Sequence, residues 1–173
     1  MVERIKRKTI NLLFPRDTHS ELPLDPDALH PGEYKYPLQF VPGLQLIVFL
    51  GGCLGTFARY EIEVILPDTS SSIPYGTLFI NLCGAFLLGL LLEELAQRGE
   101  DRGKIQQIRL GLGTGFIAAF TTYSTLAVEA AFLAHHRHVE LALLYAVTSV
   151  IGGLAFCTAG IILAGSRNKE TVR

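Results

Sequence analysis

The sequence has little charge for its length, because 18% of its 173 residues are Asp, Glu, Lys or Arg while 49% are apolar. The formal net charge is −1, so the chain lacks the basic balance that is typical of a nucleic-acid-binding protein. Its charged residues are concentrated in residues 1–40 and in short stretches between four long apolar runs. This partition is typical of a protein that crosses a membrane several times.

The residue groupings of an enzyme are also missing. The sequence contains no Ser/His/Asp set, no phosphate-binding loop and no metal-ligand spacing, so we predict that it is not an enzyme. Its three cysteines lie in three different apolar runs, and we interpret them as small packing residues. No cleavable signal peptide is apparent, because the first apolar run begins near Leu44 and is as long as a full span.

The composition divides the chain into three regions. Residues 1–42 form a polar extension, and five of the eight prolines lie in residues 1–40. Such a segment cannot bury enough apolar surface to offset its ordering entropy, so we expect it to be largely disordered. Residues 43–166 form a membrane domain, and residues 167–173 form a C-terminal tail.

The four apolar runs have the length that a helix needs to cross a membrane. We predict spans at about residues 44–66, 75–95, 108–135 and 141–164. The predicted fold class is therefore an all-α membrane protein with four transmembrane helices, located as a multi-pass protein in the plasma (inner) membrane.

The distribution of basic residues predicts the orientation of the chain. Six Lys or Arg residues precede the first span, four lie from Arg98 to Arg109, and three follow the last span. The segment between the first two spans has none, and the segment between the last two has Arg137 alone. Because cytoplasmic segments are enriched in Lys and Arg, both termini are predicted to be cytoplasmic. The bias is large, so we expect insertion in one direction.

The third run contains a cluster of polar side chains at a depth where water is absent. Within the stretch Gly115–Leu126, residues 121–125 read Thr-Thr-Tyr-Ser-Thr. Ser and Thr hydroxyls compete with the helical backbone for hydrogen bonds, and a broken helix at this depth must be covered by protein or a polar cavity. Two interpretations stay open, a helix with back-bonded hydroxyls that packs on a neighbour or an interrupted helix that lines an ion path.

Polar residues of the first two spans also have two interpretations each. Arg59 either extends to the membrane interface or pairs with Glu63 one turn on, or else it has a functional role. Asn81 either bonds a neighbouring helix or offers its amide hydrogens to a passing anion. The GxxxG pattern of Gly51 and Gly55 permits close approach of another helix.

Polar residues follow in the third and fourth spans. Glu129 lies two turns beyond the hydroxyl cluster and is either a charge at the membrane edge or a vestibule group. Tyr145 and Ser149 are one helical turn apart and share a face. That face is either a polar stripe along a pore or a plain contact between helices.

Each span carries one motif of small and polar residues. The motifs are Gly51-Gly-x-x-Gly-x-x-x-Arg59-Tyr60, Gly76-Thr-Leu-x-x-Asn81-x-x-Gly84-x-Phe86, Gly115-Phe-x-x-x-Phe-Thr121-Thr-Tyr-Ser-Thr and Tyr145-x-x-x-Ser149. In order and spacing they resemble the small fluoride channels of the Fluc or CrcB family. The resemblance covers about residues 43–165.

The resemblance implies two four-helix subunits inserted in opposite directions, with two narrow pores through which fluoride leaves the cell passively. It implies a third helix broken mid-membrane at the dimer centre, where the backbone carbonyls of Ala118 and Thr121 hold a structural Na⁺. Fluoride is small and strongly hydrated, so its pore must replace the water shell with many hydrogen-bond donors.

The resemblance also assigns roles to single residues. Asn81 would donate to fluoride, and Tyr123 and Leu126 would occupy the two aromatic positions that face the ions. The other implied residues are the hydroxyls Ser124 and Thr125, the polar stripe Tyr145 and Ser149, the vestibule residue Arg59 and the pore-mouth acid Glu129.

The chain departs from the family pattern at three places. The paired glycines before the aromatic-Thr-Thr element are Ala118 and Ala119, and the two pore phenylalanines are Tyr123 and Leu126. A leucine has no ring edge to offer an anion. With the large orientation bias, this suggests one half of a heterodimer that pairs with an oppositely inserted homologue, although a homodimer remains open. The alternatives are a non-conducting partner subunit and a small proton-coupled multidrug exporter.

Overall fold

The computed structural model describes residues 40–66, 73–99 and 101–171, with side chains as far as Ser166. Residues 1–39, which include most of the extension that we predict to be disordered, lie outside the described residues. The helices are α1 (Pro42–Ile65), α2 (Tyr75–Ala96), α3 (Lys104–Ile108), a π-helical segment (Arg109–Ile117), α4 (Ala118–Phe120), α5 (Tyr123–His135) and α6 (Val139–Thr171).

Four stretches of the described chain are long and apolar enough to cross a membrane: Pro42–Ile65, Tyr75–Ala96, Lys104–His135 and Val139–Ser166. They confirm the predicted fold class and the position of each span. Helix α6 is longer than expected, because it continues to Thr171 through residues that we placed in a tail. Residues 166–171 contain neither glycine nor proline, so the helical hydrogen bonds continue beyond the apolar part.

Helix α1 packs against the π-helical segment, and glycines make the contact possible. A β-carbon on Gly51 would meet the carbonyl oxygen of Gly111, and one on Gly55 would meet that of Phe116. The close approach predicted from the GxxxG pattern is therefore confirmed. It is a contact between backbones, which brings the first half of the third span directly onto α1.

Helix α2 packs mainly against α6 in the same manner. A β-carbon on Gly160 would meet the carbonyl oxygen of Phe86 and would lie 2.8 Å from the backbone nitrogen of Leu90. On the opposite side, Gly89 leaves room for the backbone and thiol of Cys157. This is the packing role that we predicted for this cysteine. Because α6 also contacts α5, the second half of the third span is held beside α2 and α6.

The contact between α2 and α6 generates a prediction about two glycines of one helix. Gly160→Ala places a methyl group against the α2 backbone, whereas a β-carbon on Gly153 lies 4.0 Å from that of Ala85, an ordinary contact. We expect Gly160→Ala to lower the free energy of unfolding by about 1–3 kcal/mol, because a packed backbone cannot yield. Gly153→Ala is the matched control and leaves stability unchanged or raised. Unfolding in detergent micelles measures both, and equal stability of the two variants would contradict this packing.

Candidate functional site

The third span is interrupted at Thr121 and Thr122, which we call the break. Helix α4 ends at Phe120 and α5 begins at Tyr123. Between them the backbone is extended, with φ −79° and ψ 158° at Thr121 and φ −147° and ψ 125° at Thr122. The hydroxyl of Thr121 does bond back to the carbonyl of Ile117 at 3.1 Å, yet the helix stops there. The predicted interruption of the helix is thus confirmed, and an ion path along it stays a prediction.

Asn81 of α2 pairs with the backbone of the break through both ends of its side-chain amide. Its Nδ2 donates to the carbonyl oxygen of Thr122 at 3.0 Å, and its Oδ1 accepts from the backbone N–H of the same residue at 2.9 Å. The two bonds match those that a neighbouring strand would give to an extended residue. Asn81 therefore bonds a neighbouring span, which is one of its two predicted roles, and one N–H of Nδ2 is used for it.

Thr122 also starts the second half of the span. As the N-cap of α5, its hydroxyl accepts from the backbone N–H of Thr125 at 3.2 Å. The same hydroxyl lies 3.2 Å from that of Ser124 and 3.0 Å from that of Thr125. A Thr at this position stabilises a helix start by bonding a backbone N–H that has no partner within the helix. Two of the predicted site hydroxyls, those of Ser124 and Thr125, are therefore joined in one cluster at the break by the hydroxyl of Thr122, which was absent from the predicted site.

These bonds redirect two backbone N–H groups that a continuous helix would use. The N–H of Thr122 would bond the carbonyl of Ala118, but it donates to Asn81. The N–H of Thr125 would bond the carbonyl of Thr121, but it donates to the Thr122 hydroxyl. The carbonyls of Ala118 and Thr121 thus lose the partners that a helix would give them.

A second polar cluster surrounds Glu129 where α2, α5 and α6 meet. The Thr77 hydroxyl donates to Oε1 of Glu129 at 2.8 Å, and the Tyr145 hydroxyl donates to Oε2 at 2.6 Å. Thr77 and Tyr145 are both about 1% exposed. Glu129 is therefore bonded inside the helix contact. Thr77 was absent from the predicted site, although it lies one turn before Asn81 and so shares its face of α2.

Tyr145 lies between the Glu129 cluster and an apolar cluster. Ser149, one turn along α6, is 8% exposed, and its Oγ has no hydrogen-bond partner among the described residues. Leu126 packs in a buried cluster with Tyr145, Leu133 and Ala142. The shared face of Tyr145 and Ser149 is thus buried, Leu126 adds an apolar contact beside it, and a pore along this face stays a prediction.

Three predicted site residues are wholly or partly exposed in this chain. Tyr123 is 81% exposed, and Ser124 is exposed although its hydroxyl joins the cluster of Thr122. The guanidinium of Arg59 lies 3.8 Å from the carboxylate of Glu63, which is the pairing within α1 that we gave as one alternative. Their roles in a pore or vestibule stay predictions.

Comparison with known proteins gives one family for most of the chain. The family model described as CrcB-like protein, Camphor Resistance (CrcB), matches residues 46–161. The chain is 44% identical over 126 residues to the fluoride-specific ion channel FluC 1 of Cutibacterium acnes, which covers 73% of this chain and 87% of that protein. It is 41% identical over 132 residues to FluC 2 of Leifsonia xyli subsp. xyli, which covers 76% of this chain and 90% of that one.

The Glu129 cluster generates a prediction for Tyr145→Phe. The change removes the hydroxyl that donates to Oε2 of Glu129 and keeps the buried ring. We expect the free energy of unfolding to fall by about 1–3 kcal/mol, because a half-buried carboxylate loses one of its donors. The control is Thr158→Val on the same helix, where an exposed hydroxyl bonds back to Leu154 at 2.8 Å. Unfolding in micelles measures both, and equal losses would show that the Glu129 contact contributes nothing.

Proposed function

Because the chain belongs to the CrcB-like family, we propose that it is a subunit of a fluoride-specific ion channel that lets fluoride leave the cytoplasm passively. It is a channel protein rather than an enzyme. The observation that carries the proposal is the row of hydroxyl and amide groups inside a four-span membrane domain whose relatives are named as fluoride channels.

The chemistry of these groups suits a small, strongly hydrated anion. Fluoride gives up its water shell only where several donors replace it, and hydroxyl and amide groups do so without a fixed positive charge. Ser149 offers a buried hydroxyl without a recorded partner among the described residues. Asn81 retains a second amide hydrogen, and the hydroxyls at the break lie one turn or less from the exposed Tyr123. We assign the fluoride path to Asn81, Tyr123, Ser124, Thr125, Leu126, Tyr145 and Ser149.

We also propose a structural Na⁺ bound by the backbone carbonyls of Ala118 and Thr121. The proposal is supported by the hydrogen bonds of Thr122 and Thr125. Their N–H groups bond side-chain oxygens, so the two carbonyls lose the partners that a helix would give them. Backbone carbonyls are suitable ligands for a hard monovalent cation, and such a cation would satisfy them where water is absent. The two carbonyl oxygens therefore fit the ion, which would have a structural role and take no part in a reaction.

The partner in our proposal is an antiparallel subunit, most simply a homologous chain. An apolar groove of about 680 Å³ runs along α1 from Phe49 to Tyr60 and reaches Ala119 beside the break. Tyr123, 81% exposed, lies next to the same break. A subunit packed on this groove would cover its apolar surface. The strong bias of basic residues favours one orientation for this chain, with both termini cytoplasmic, and hence a heterodimer.

One observation favours the alternative of a non-conducting subunit that completes the pore of its partner. Leu126 stands at a predicted ion-facing position, yet it is 7% exposed and packs in an apolar cluster around Tyr145. An apolar side chain there removes a contact for the anion. Conduction by this chain alone and with its partner therefore distinguishes the two functions.

The fluoride path generates a prediction for Ser149→Ala in liposomes that contain this chain alone or with a homologous chain from the same genome. We expect fluoride efflux to fall roughly two- to tenfold in the variant, the equivalent of one lost hydrogen bond of about 0.5–1.5 kcal/mol. The matched control is Thr148→Val, whose side chain is exposed on the adjacent face of α6. A fluoride-selective electrode measures the efflux. No fluoride efflux by the wild-type chain in either preparation, or efflux of chloride at the same rate, would contradict the channel.

The heterodimer generates a prediction about topology. C-terminal fusions to green fluorescent protein, active in the cytoplasm, and to alkaline phosphatase, active outside it, report the side on which the C-terminus lies. We expect fluorescence and no phosphatase activity, because the basic segments retain both termini in the cytoplasm. Comparable signals from the two fusions would show dual topology and would favour a homodimer instead.

A further inference from the structure

The break is stabilised by two side chains, one from a neighbouring helix and one of its own. Asn81 reaches it from α2, and Thr122 belongs to it. Together they occupy two of the four N–H groups that would otherwise continue the helix across residues 118–125, those of Thr122 and Thr125. The bonds therefore stabilise the interruption of the helix.

The energetic alternative to the break is a continuous helix. In hydrocarbon a backbone N–H without a partner costs several kcal/mol, so the stretch will close into a helix unless other groups accept its hydrogens. Asn is suited to this task because one side chain both donates and accepts, and here it does both to a single residue at 3.0 and 2.9 Å. A carboxylate would accept but not donate, and an apolar side chain would do neither.

The face of α2 that carries Asn81 is also shaped to receive the break. A β-carbon on Gly84, close to one turn along, would collide with Cγ2 of Thr121 and would lie 3.5 Å from the ring of Phe120. Glycine at this position leaves the volume that Thr121 occupies. The α2 surface thus contacts both residues of the break. Thr121 packs against Gly84, and Thr122 forms hydrogen bonds with Asn81.

We propose that Asn81 and Thr122 are positioning residues that hold the third span open, so that the carbonyls of Ala118 and Thr121 stay outside the helical ladder and available to a monovalent cation. The inference rests on the proposed structural Na⁺ and adds the side chains that prepare its site. Neither side chain needs to touch the ion. When either is removed, the break closes in a larger fraction of molecules, and those molecules cannot bind the cation.

The test compares variants of the full-length protein, with its partner where one is required, in sodium chloride and in N-methylglucamine chloride of equal ionic strength. Thermal unfolding is followed as sodium replaces N-methylglucamine. The wild-type protein is expected to unfold at a higher temperature as sodium rises. In Thr122→Val and Asn81→Leu the apparent dissociation constant for sodium is expected to rise by roughly tenfold or more, because fewer molecules have the break open.

Two controls separate positioning from general stability. Thr122→Ser retains the hydroxyl and is expected to restore the response to sodium, and Thr158→Val removes an exposed hydroxyl on α6 without changing that response. If Thr122→Val unfolded earlier in both salts yet kept the wild-type affinity for sodium, the residue would be a helix cap alone and the proposal would be wrong. The Thr122 pair decides the question even where Asn81→Leu does not fold.

Failure of this inference is distinguishable from failure of the channel function. A wild-type protein that conducts fluoride but shows no response to sodium would overturn the inference and leave the channel function in place. A protein that responds to sodium with the expected pattern of variants but conducts no fluoride would support the inference and contradict the channel function.

Discussion

The structure depends on one constraint, which is that an extended backbone inside a membrane must find hydrogen-bond partners without water. Thr121 and Thr122 are extended in the middle of a span, and their surroundings are arranged to satisfy them. Asn81 bonds both polar groups of the Thr122 backbone, and the Thr122 hydroxyl bonds the first turn of α5. Because these partners are side chains of fixed position, the interruption is local and the backbone is helical on both sides of it.

One face of α2 brings the polar elements together. Thr77, Asn81 and Gly84 follow at the spacing of a helix face, and each contacts a different part of the third span. Thr77 donates to Glu129 of α5, Asn81 pairs with Thr122, and Gly84 makes room for Thr121. Since α2 is itself packed closely on α6 through glycines, the Tyr145 hydroxyl completes the Glu129 cluster from the other side. Close packing at the glycines therefore brings the hydrogen-bonding side chains of α2, α5 and α6 within reach of one another.

Long apolar runs have one main structural consequence, so the four spans could be predicted from the sequence. The run of hydroxyls left two interpretations open, and the interruption near Thr121 was implied by the resemblance to the CrcB-like channels. The pairing of Asn81 with Thr122 could not be predicted, since two interpretations of a lone Asn differ only in what lies opposite it. Thr77 was missed for a related reason, because a threonine in a span commonly bonds its own helix and nothing in the sequence shows that Glu129 faces it. The π-helical segment has no signal beyond its alternating glycines, and its register follows from close packing on α1.

The central claim is that the third span is held open at Thr121 and Thr122 by Asn81. An experimental structure of the protein in lipid nanodiscs, determined in sodium chloride, tests it most directly. We predict extended backbone at both threonines, with the Asn81 amide within hydrogen-bond distance of the N–H and carbonyl of Thr122. A continuous helix from Arg109 to His135, with the Asn81 side chain directed away from the backbone, would contradict the account.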